Sequence, residues 1–332
     1  MSTADYLQPF LLERAGVRGA LVRLGPAWRE VAARQNYPAP LRALLGEALA
    51  ASALLTAHVK LQGVLSLEFK SSGALRLLFA ECTDGGRVRG LARLAEDVVP
   101  DSATLDLSAQ PDALLAITLG SVEAGQRYQG LVGVQRAELA ATLETYFEQS
   151  EQLPTRIALA ASGDTAAGLL LQQLPGSTVE DSDAWPRVGH LTATLSAAEL
   201  LTLPPERLLL RLYHEESPRL YKARALGFGC SCSRARVEAM LRALGRNEVQ
   251  AALAARDGET GNGYAVIRTI QALASTLGMS VIAEGVEDDA QRELLLKLGC
   301  TYGQGYLYGR PQPLAAWVDA PPANVVWMRP AR

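Results

Sequence analysis

Cys230 and Cys232 are the residues whose type and spacing point most directly to chemistry, because only Ser231 separates them. A helix is predicted to begin at Ser233 and to end at Gly245, and the positive end of its dipole favours thiolate over thiol in the pair. The thiolate is the form of cysteine that binds metals and attacks other sulfur atoms. We therefore predict metal or redox chemistry here. Two cysteines that merely pack are the alternative, which the flanking glycines and serines disfavour.

A structural zinc site is the first metal site to compare with this sequence. It requires four ligands, usually two closely spaced pairs of Cys or His. The chain has four cysteines and three histidines. Cys82 and Cys300 are isolated, and no zinc-type spacing joins the histidines, which are His58, His190 and His214. The pair is thus half of a site, and zinc would have to be shared by two chains or completed by distant ligands. Cys82, Cys300 and His58 are interpreted as structural residues.

The composition is that of a soluble, folded protein, and 332 residues leave room for about two domains. The 32 basic and 35 acidic residues are interspersed, so no basic block is present for nucleic acid or anionic lipid. The N-terminus lacks the pattern of a signal peptide, and charged residues interrupt the apolar stretch 41–59. We predict a cytoplasmic protein with neither nucleic-acid nor membrane partners, in which a reducing environment favours metal or redox roles for cysteine.

The segments ahead of the cysteine pair predict an α+β core domain over residues 1–175. Helical spacing of apolar residues and short strand patterns predict helices at 41–59 and 137–147, and strands at 64–69, 74–79, 114–119, 126–134 and 155–160. Glu81 and Asp84, which follow the second of these strands, are interpreted as part of a solvated turn.

The rest of the chain divides into three further segments. Residues 176–229 are predicted as a linker and helical region, with linker composition at 176–190 and a helix-capping pattern that starts at Ser196. Residues 230–256 hold the cysteine pair and its helix. After a glycine-rich break, 262–320 show a helix, a strand at 281–283 and a helix at 288–298, an order typical of α/β folds.

Six sequence motifs carry a resemblance that covers residues 5–255 without a large gap. They are FAECTD (79–84), RYQG (127–130), YFEQSEQLP (146–154), GLLLQ (168–172), LLRLYHEE (209–216) and FGCSCSR (228–234). Together they resemble the bacterial redox-regulated heat-shock chaperone of the thirty-three kilodalton class. The resemblance implies a holdase that uses no nucleotide and binds unfolded client proteins.

The same resemblance implies a role for the cysteines. In that family four thiolates bind zinc in the inactive, reduced protein, and oxidation expels the metal, unfolds the linker and exposes apolar surface. Cys230 and Cys232 match the first thiol pair of the family. The second pair, Cys-x-x-Cys, is expected near residue 265, where this chain has the residues YAVI (264–267). Half of the zinc switch is therefore missing.

Three alternatives follow from the missing pair, and the sequence leaves them open. The chain is a chaperone without a switch, or its switch uses a disulfide within the Cys-x-Cys pair or thiols of different molecules. In the third alternative, zinc is shared across a homodimer.

A second resemblance covers about residues 262–316. The motifs AEGVE (283–287), LGC (298–300), QGY (304–306) and RP (310–311) resemble the end of an EAL-type cyclic-di-GMP phosphodiesterase domain, which is a β/α barrel. Glu284 and Gln304 match active-site positions of that family, at the carboxyl ends of strands. The family's Glu-Ala-Leu motif and remaining metal ligands have no match in residues 1–260, so we predict an incomplete barrel without catalysis.

The leading hypothesis is a redox-linked holdase that is not an enzyme. The alternative is a cyclic-di-GMP receptor or inactive phosphodiesterase relic carried by the C-terminal fragment. A fusion without function is the third hypothesis.

Overall fold

The computed structural model describes residues 4–57, 63–95, 98, 105–121, 127–174, 181–230, 271, 281–283, 286–300, 302–305, 307–308 and 326–327. The chain divides into two compact units, Met1–Cys230 and Ser231–Arg332. The segment predicted as a linker and helical region lies within the first unit. Among the described residues, no helix is both long and apolar enough to cross a bilayer.

Two β-sheets form the framework of the first unit. Its strands are β1 (Tyr6–Leu12), β2 (Val17–Leu24), β3 (Gly63–Lys70), β4 (Leu75–Thr83), β5 (Arg87–Leu94), β6 (Leu114–Ser121), β7 (Arg127–Gly133), β8 (Thr155–Ala161), β9 (Ala166–Gln173), β10 (Pro218–Leu220), β11 (Arg224–Ala225) and β12 (Gly227–Phe228). The first sheet has the order β10-β1-β2-β9-β8, with β11 also paired to β1. The second has the order β12-β5-β4-β3-β6-β7. All neighbours are antiparallel except β12 and β5, which are parallel.

Six helices accompany these sheets: α1 (Pro26–Ala32), α2 (Ala39–Leu55), α3 (Leu139–Tyr146), α4 (Ala184–Ala193), α5 (Ala197–Thr202) and α6 (Pro205–Tyr213). Helix α2 packs between the two sheets and is apolar on nearly all sides, as expected for a helix with sheets on two faces. In β3, Leu65, Leu67 and Phe69 point into this core, while the alternate residues face away from it.

Helices α4, α5 and α6 cover the other side of the first sheet and build a second core around Val188, Leu209 and Tyr213. The linker interpretation of 176–190 is therefore wrong from Ala184 onward, where α4 begins. The physical reason is the ion pair from Arg187 Nε to Glu216 Oε1 (2.6 Å), whose carboxylate is buried. This pair and the apolar face of α4 hold a segment whose composition alone suggests a loop.

The predicted elements of the core are confirmed with shifts of a few residues at their ends, and the capping box at Ser196 is present. The interpretation of Glu81 as a solvated turn residue is wrong. Strand β4 continues through it, and its buried carboxylate accepts a hydrogen bond from Arg89 Nε at 2.5 Å on the neighbouring strand. Asp84 is exposed in the turn, as predicted.

The described part of the second unit contains the strand predicted at 281–283 and the helix predicted at 288–298, each with slightly shifted ends. The helix predicted ahead of this strand, apart from residue 271, and the helix predicted from Ser233 to Gly245 lie outside the described residues. The described elements of the unit are β13 (Ile282–Ala283), α7 (Asp289–Lys297), β14 (Tyr302–Gly303) and β15 (Val326–Trp327). The parallel strands β13 and β14 are connected through α7, whose first turn is capped by Asp288. A small core forms from Val286, Leu295 and Cys300. The described strands of this unit do not close a barrel.

Candidate functional site

The segment that leads to Cys230 connects the two sheets of the first unit. Its first part, β11, pairs with Tyr6 and Leu7 of β1. Its second part, β12, pairs two residues later with Arg87 and Val88 of β5. Cys230 follows after Gly229 and is exposed. A thiol at this position is accessible to oxidants and lies at the end of the segment that pairs with both sheets.

Phe228 fixes this segment to the protein. Its ring packs partly buried against the core, and the guanidinium carbon of Arg34 lies 4.3 Å from the ring centroid. Arg87 donates a hydrogen bond to the Phe228 carbonyl oxygen (3.4 Å), and the Gly229 amide donates one to the Val88 carbonyl oxygen (3.1 Å). The approach to Cys230 is thus lined by two arginines.

No zinc site can be assigned among the described residues. No group of three or more His, Cys, Asp or Glu side chains that could hold a metal ion is found among them, and Cys232 lies outside them. Burial raises the pKa of the Cys82 thiol to about 11, which leaves it protonated and inert. Cys300 is also buried, in the core of the second unit. Both positions fit the predicted structural roles.

An exposed apolar face on the second sheet was not found by sequence analysis. On the side of the sheet that faces away from α2, the register places Leu91, Phe79, Glu68, Ala116 and Leu131 in one row and Leu77, Lys70 and Leu114 in the next. The ion pair of Lys70 and Glu68 on β3 separates two apolar groups, one on β4 and β5 and the other on β6 and β7. Leu91 is 42% exposed, Leu114 50% and Leu131 60%. We call the five residues Leu77, Phe79, Leu91, Leu114 and Leu131 the outer face. Exposed leucines grouped on one side of a sheet are found at interaction surfaces.

The sequence signal for the outer face is present but ambiguous. The segment 114–117 reads Leu-Leu-Ala-Ile, which lacks the polar residue expected at every second position of a half-exposed strand. Such a run is also compatible with a strand buried on both sides. Only the pairing register and the exposure of the side chains distinguish the two cases.

In the second unit, Gln304 is exposed and directly follows β14. Its backbone amide donates to the Ala283 carbonyl oxygen (2.7 Å), so it lies beside the carboxyl end of the neighbouring parallel strand. Glu284, the other predicted position, is outside the described residues. A family model described as an EAL domain matches residues 248–311 and thus begins earlier than the motifs predicted.

A family model described as Hsp33 protein matches residues 5–261. The 33 kDa chaperonin of Pseudomonas aeruginosa (strain LESB58) is 44% identical over 263 residues, which cover 78% of this chain and 88% of that protein. The 33 kDa chaperonin of Azotobacter vinelandii is 45% identical, with the same coverage. The solved 33 kDa chaperonin of Thermotoga maritima has the same fold, with a TM-score of 0.64 at 19% identity over 77% of this chain and 90% of that one. The chain therefore belongs to the Hsp33 family.

Proposed function

We propose that this chain is a cytoplasmic holdase chaperone that binds unfolded proteins and is not an enzyme. Membership of the Hsp33 family and the names of its relatives, 33 kDa chaperonins, support the class of activity. The observation that carries the proposal is the outer face, since a holdase needs apolar surface that a client can cover. When a client covers the outer face, leucine side chains are removed from water. This stabilises the complex by about 25 cal/mol per Å² of apolar area buried.

The outer face is tested by replacing Leu114 and Leu131 together by serine. The double variant should need severalfold more protein to suppress aggregation of a thermally unfolded client, measured by light scattering. Leu210→Ser is the matched control, because Leu210 is 57% exposed but lies on α6, away from this face. If the double variant suppresses aggregation as well as the control does, clients bind elsewhere.

We propose that Cys230 and Cys232 are the redox-sensitive residues of this chaperone. The exposure of Cys230 and its position behind β12 support this role. Two thiolates are half of a structural zinc site, so a zinc ion would have to be shared by two chains in a homodimer or completed by distant ligands. Zinc content and thiol count, measured before and after peroxide, distinguish the alternatives. Half a zinc per chain with a dimeric mass supports sharing, and thiol loss without zinc supports a disulfide-only switch.

The second candidate function is recognition of cyclic-di-GMP by the C-terminal fragment, as receptor or relic. The match to the EAL model and the position of Gln304 beside β13 favour it. Calorimetric titration of the full chain with cyclic-di-GMP tests this function directly. Binding would establish a receptor, whereas absence of heat at millimolar ligand would reject this function.

A further inference from the structure

The short strand β12 pairs with the edge of β5, and we call this edge, together with the side chains of Arg34 and Arg87, the seat. Only two of the eight residues of β5, Arg87 and Val88, pair with β12. The Gly227 amide donates to the Gly86 carbonyl oxygen (3.0 Å). Gly86 itself has a φ of +73°, and a Cβ there would lie 2.6 Å from the Ala225 carbonyl oxygen. The turn between β4 and β5 is thus shaped for a strand to pass closely along this edge.

The seat has side-chain features that define what fits it. Arg34 lies over the Phe228 ring, and the core packs against the ring, so this position suits an aromatic side chain. The neighbouring position is narrow, because a Cβ on Gly229 would come within 2.8 Å of the Arg87 side chain. An extended segment with an aromatic residue next to a small one therefore fits, and the two arginines disfavour segments rich in Lys or Arg.

We propose that this seat, formed by the edge of β5 with Arg34 and Arg87, is a docking site for extended aromatic segments of unfolded proteins. The chain's own residues 227–229 occupy it as an internal competitor. The inference rests on the proposed holdase function and names the client segment that it recognises. A strand added to a sheet edge binds through backbone hydrogen bonds, which any unfolded chain can supply, and the aromatic seat adds selectivity.

Two properties of the internal strand suit it to be displaced. It has two residues, so few hydrogen bonds must break for a client to replace it. Among the described residues, no strand pairs with the rest of this edge of β5, which leaves length for a longer segment. It also ends next to Cys230, so chemistry at the thiols acts on the same segment that fills the seat. A tethered competitor has an effective concentration in the millimolar range, which keeps weak ligands out and admits stronger or more numerous client segments.

The test uses the full chain with Phe228→Ser, which removes the ring from the seat and leaves residues 227–229 held there by backbone pairing alone. The probe is a fluorescein-labelled nonapeptide with a central Gly-Phe-Gly between Ser, Thr and Val residues, and its control peptide has Ser in place of Phe. By fluorescence polarisation, the variant should bind the aromatic peptide about tenfold more tightly than the parent chain.

Tyr221→Ser is the matched control, because Tyr221 is an exposed aromatic residue of the same segment and its ring centroid lies 5.8 Å from the Arg219 guanidinium. It should bind like the parent chain.

Gly227→Pro is a second variant, for the case that circular dichroism shows Phe228→Ser to be unfolded. It removes the backbone N–H that donates to the Gly86 carbonyl oxygen but leaves the seat intact, so it should also raise affinity for the aromatic peptide.

Equal affinities of the parent chain and a folded seat variant, or equal binding of both peptides, would overturn the inference. The holdase proposal then still stands if the parent chain suppresses aggregation. Tight peptide binding without any suppression would instead support the seat and reject the holdase function.

Discussion

The described parts of the two compact units differ most in how much apolar surface they bury. In Met1–Cys230, two large clusters of buried side chains lie on the two sides of one sheet, and α2 fills the space between both sheets. In the described part of Ser231–Arg332, the buried cluster consists of three residues. Burial of apolar area is the main source of folding free energy, so the described clusters stabilise the first unit far more than the second.

The family matches also differ between the units. The Hsp33 match, residues 5–261, covers the first unit from residue 5 and continues into the second, whereas the EAL match covers residues 248–311 of the second. We therefore expect the first unit to be the more stable of the two.

Thiol reactivity should give the largest contrast between the units. Cys230 is exposed, whereas burial raises the pKa of Cys82 to about 11. We expect iodoacetamide at pH 8 to alkylate Cys230 at least about 100-fold faster than Cys82. Cys300 should react at an intermediate rate, because opening its small core costs less free energy. Mass spectrometry of tryptic peptides over time measures all three, and a Cys300 as slow as Cys82 would show that the second unit is as stable as the first.

Core truncation should distinguish the units by stability. Leu49→Ala removes a fully buried side chain from α2 and should lower the free energy of unfolding of the first unit by about 2–5 kcal/mol. Leu295→Ala is the matched change in α7 and should leave that transition within about 0.5 kcal/mol of its original value. Urea denaturation followed by circular dichroism tests both. A large effect of Leu295→Ala on the main transition would mean that the units unfold as one.

A smaller effect concerns Glu47 on α2. Burial, and secondarily the charge of Glu138, raise the pKa of its carboxyl to about 7. Between about pH 4.5 and 7 the folded chain retains a proton that the unfolded chain has released. The free energy of unfolding should therefore fall as the pH rises through this window, by on the order of 3 kcal/mol from this group.

Glu47→Gln should reduce that pH dependence, because glutamine is neutral throughout. Glu215→Gln is the control, because the Glu215 carboxylate is 76% exposed. This variant should retain the full dependence of stability on pH. Denaturation midpoints at pH 5 and pH 8 are the measurement. Identical slopes for the two variants would contradict a buried, protonated Glu47.

Elements whose apolar residues follow one clear periodicity could be predicted from the sequence. Apolar residues at helical spacing located α2, and alternation of apolar and polar residues located β3. It failed where a distant partner decides the outcome: Glu81 is buried because Arg89 lies opposite it, and α4 is a helix partly because Arg187 reaches Glu216. The seat of Phe228 depends on Arg34, which is distant in sequence, so the motif around the cysteines identified the family but not this contact.

Aggregation of a thermally unfolded client decides whether this chain is a chaperone. Light scattering is followed with an equimolar amount of the full chain, once after reduction and once after peroxide treatment. We predict that aggregation is suppressed in at least one of the two states, and more strongly after oxidation if the thiols at Cys230 and Cys232 control activity. Unchanged scattering in both states would show that the chain is not a holdase.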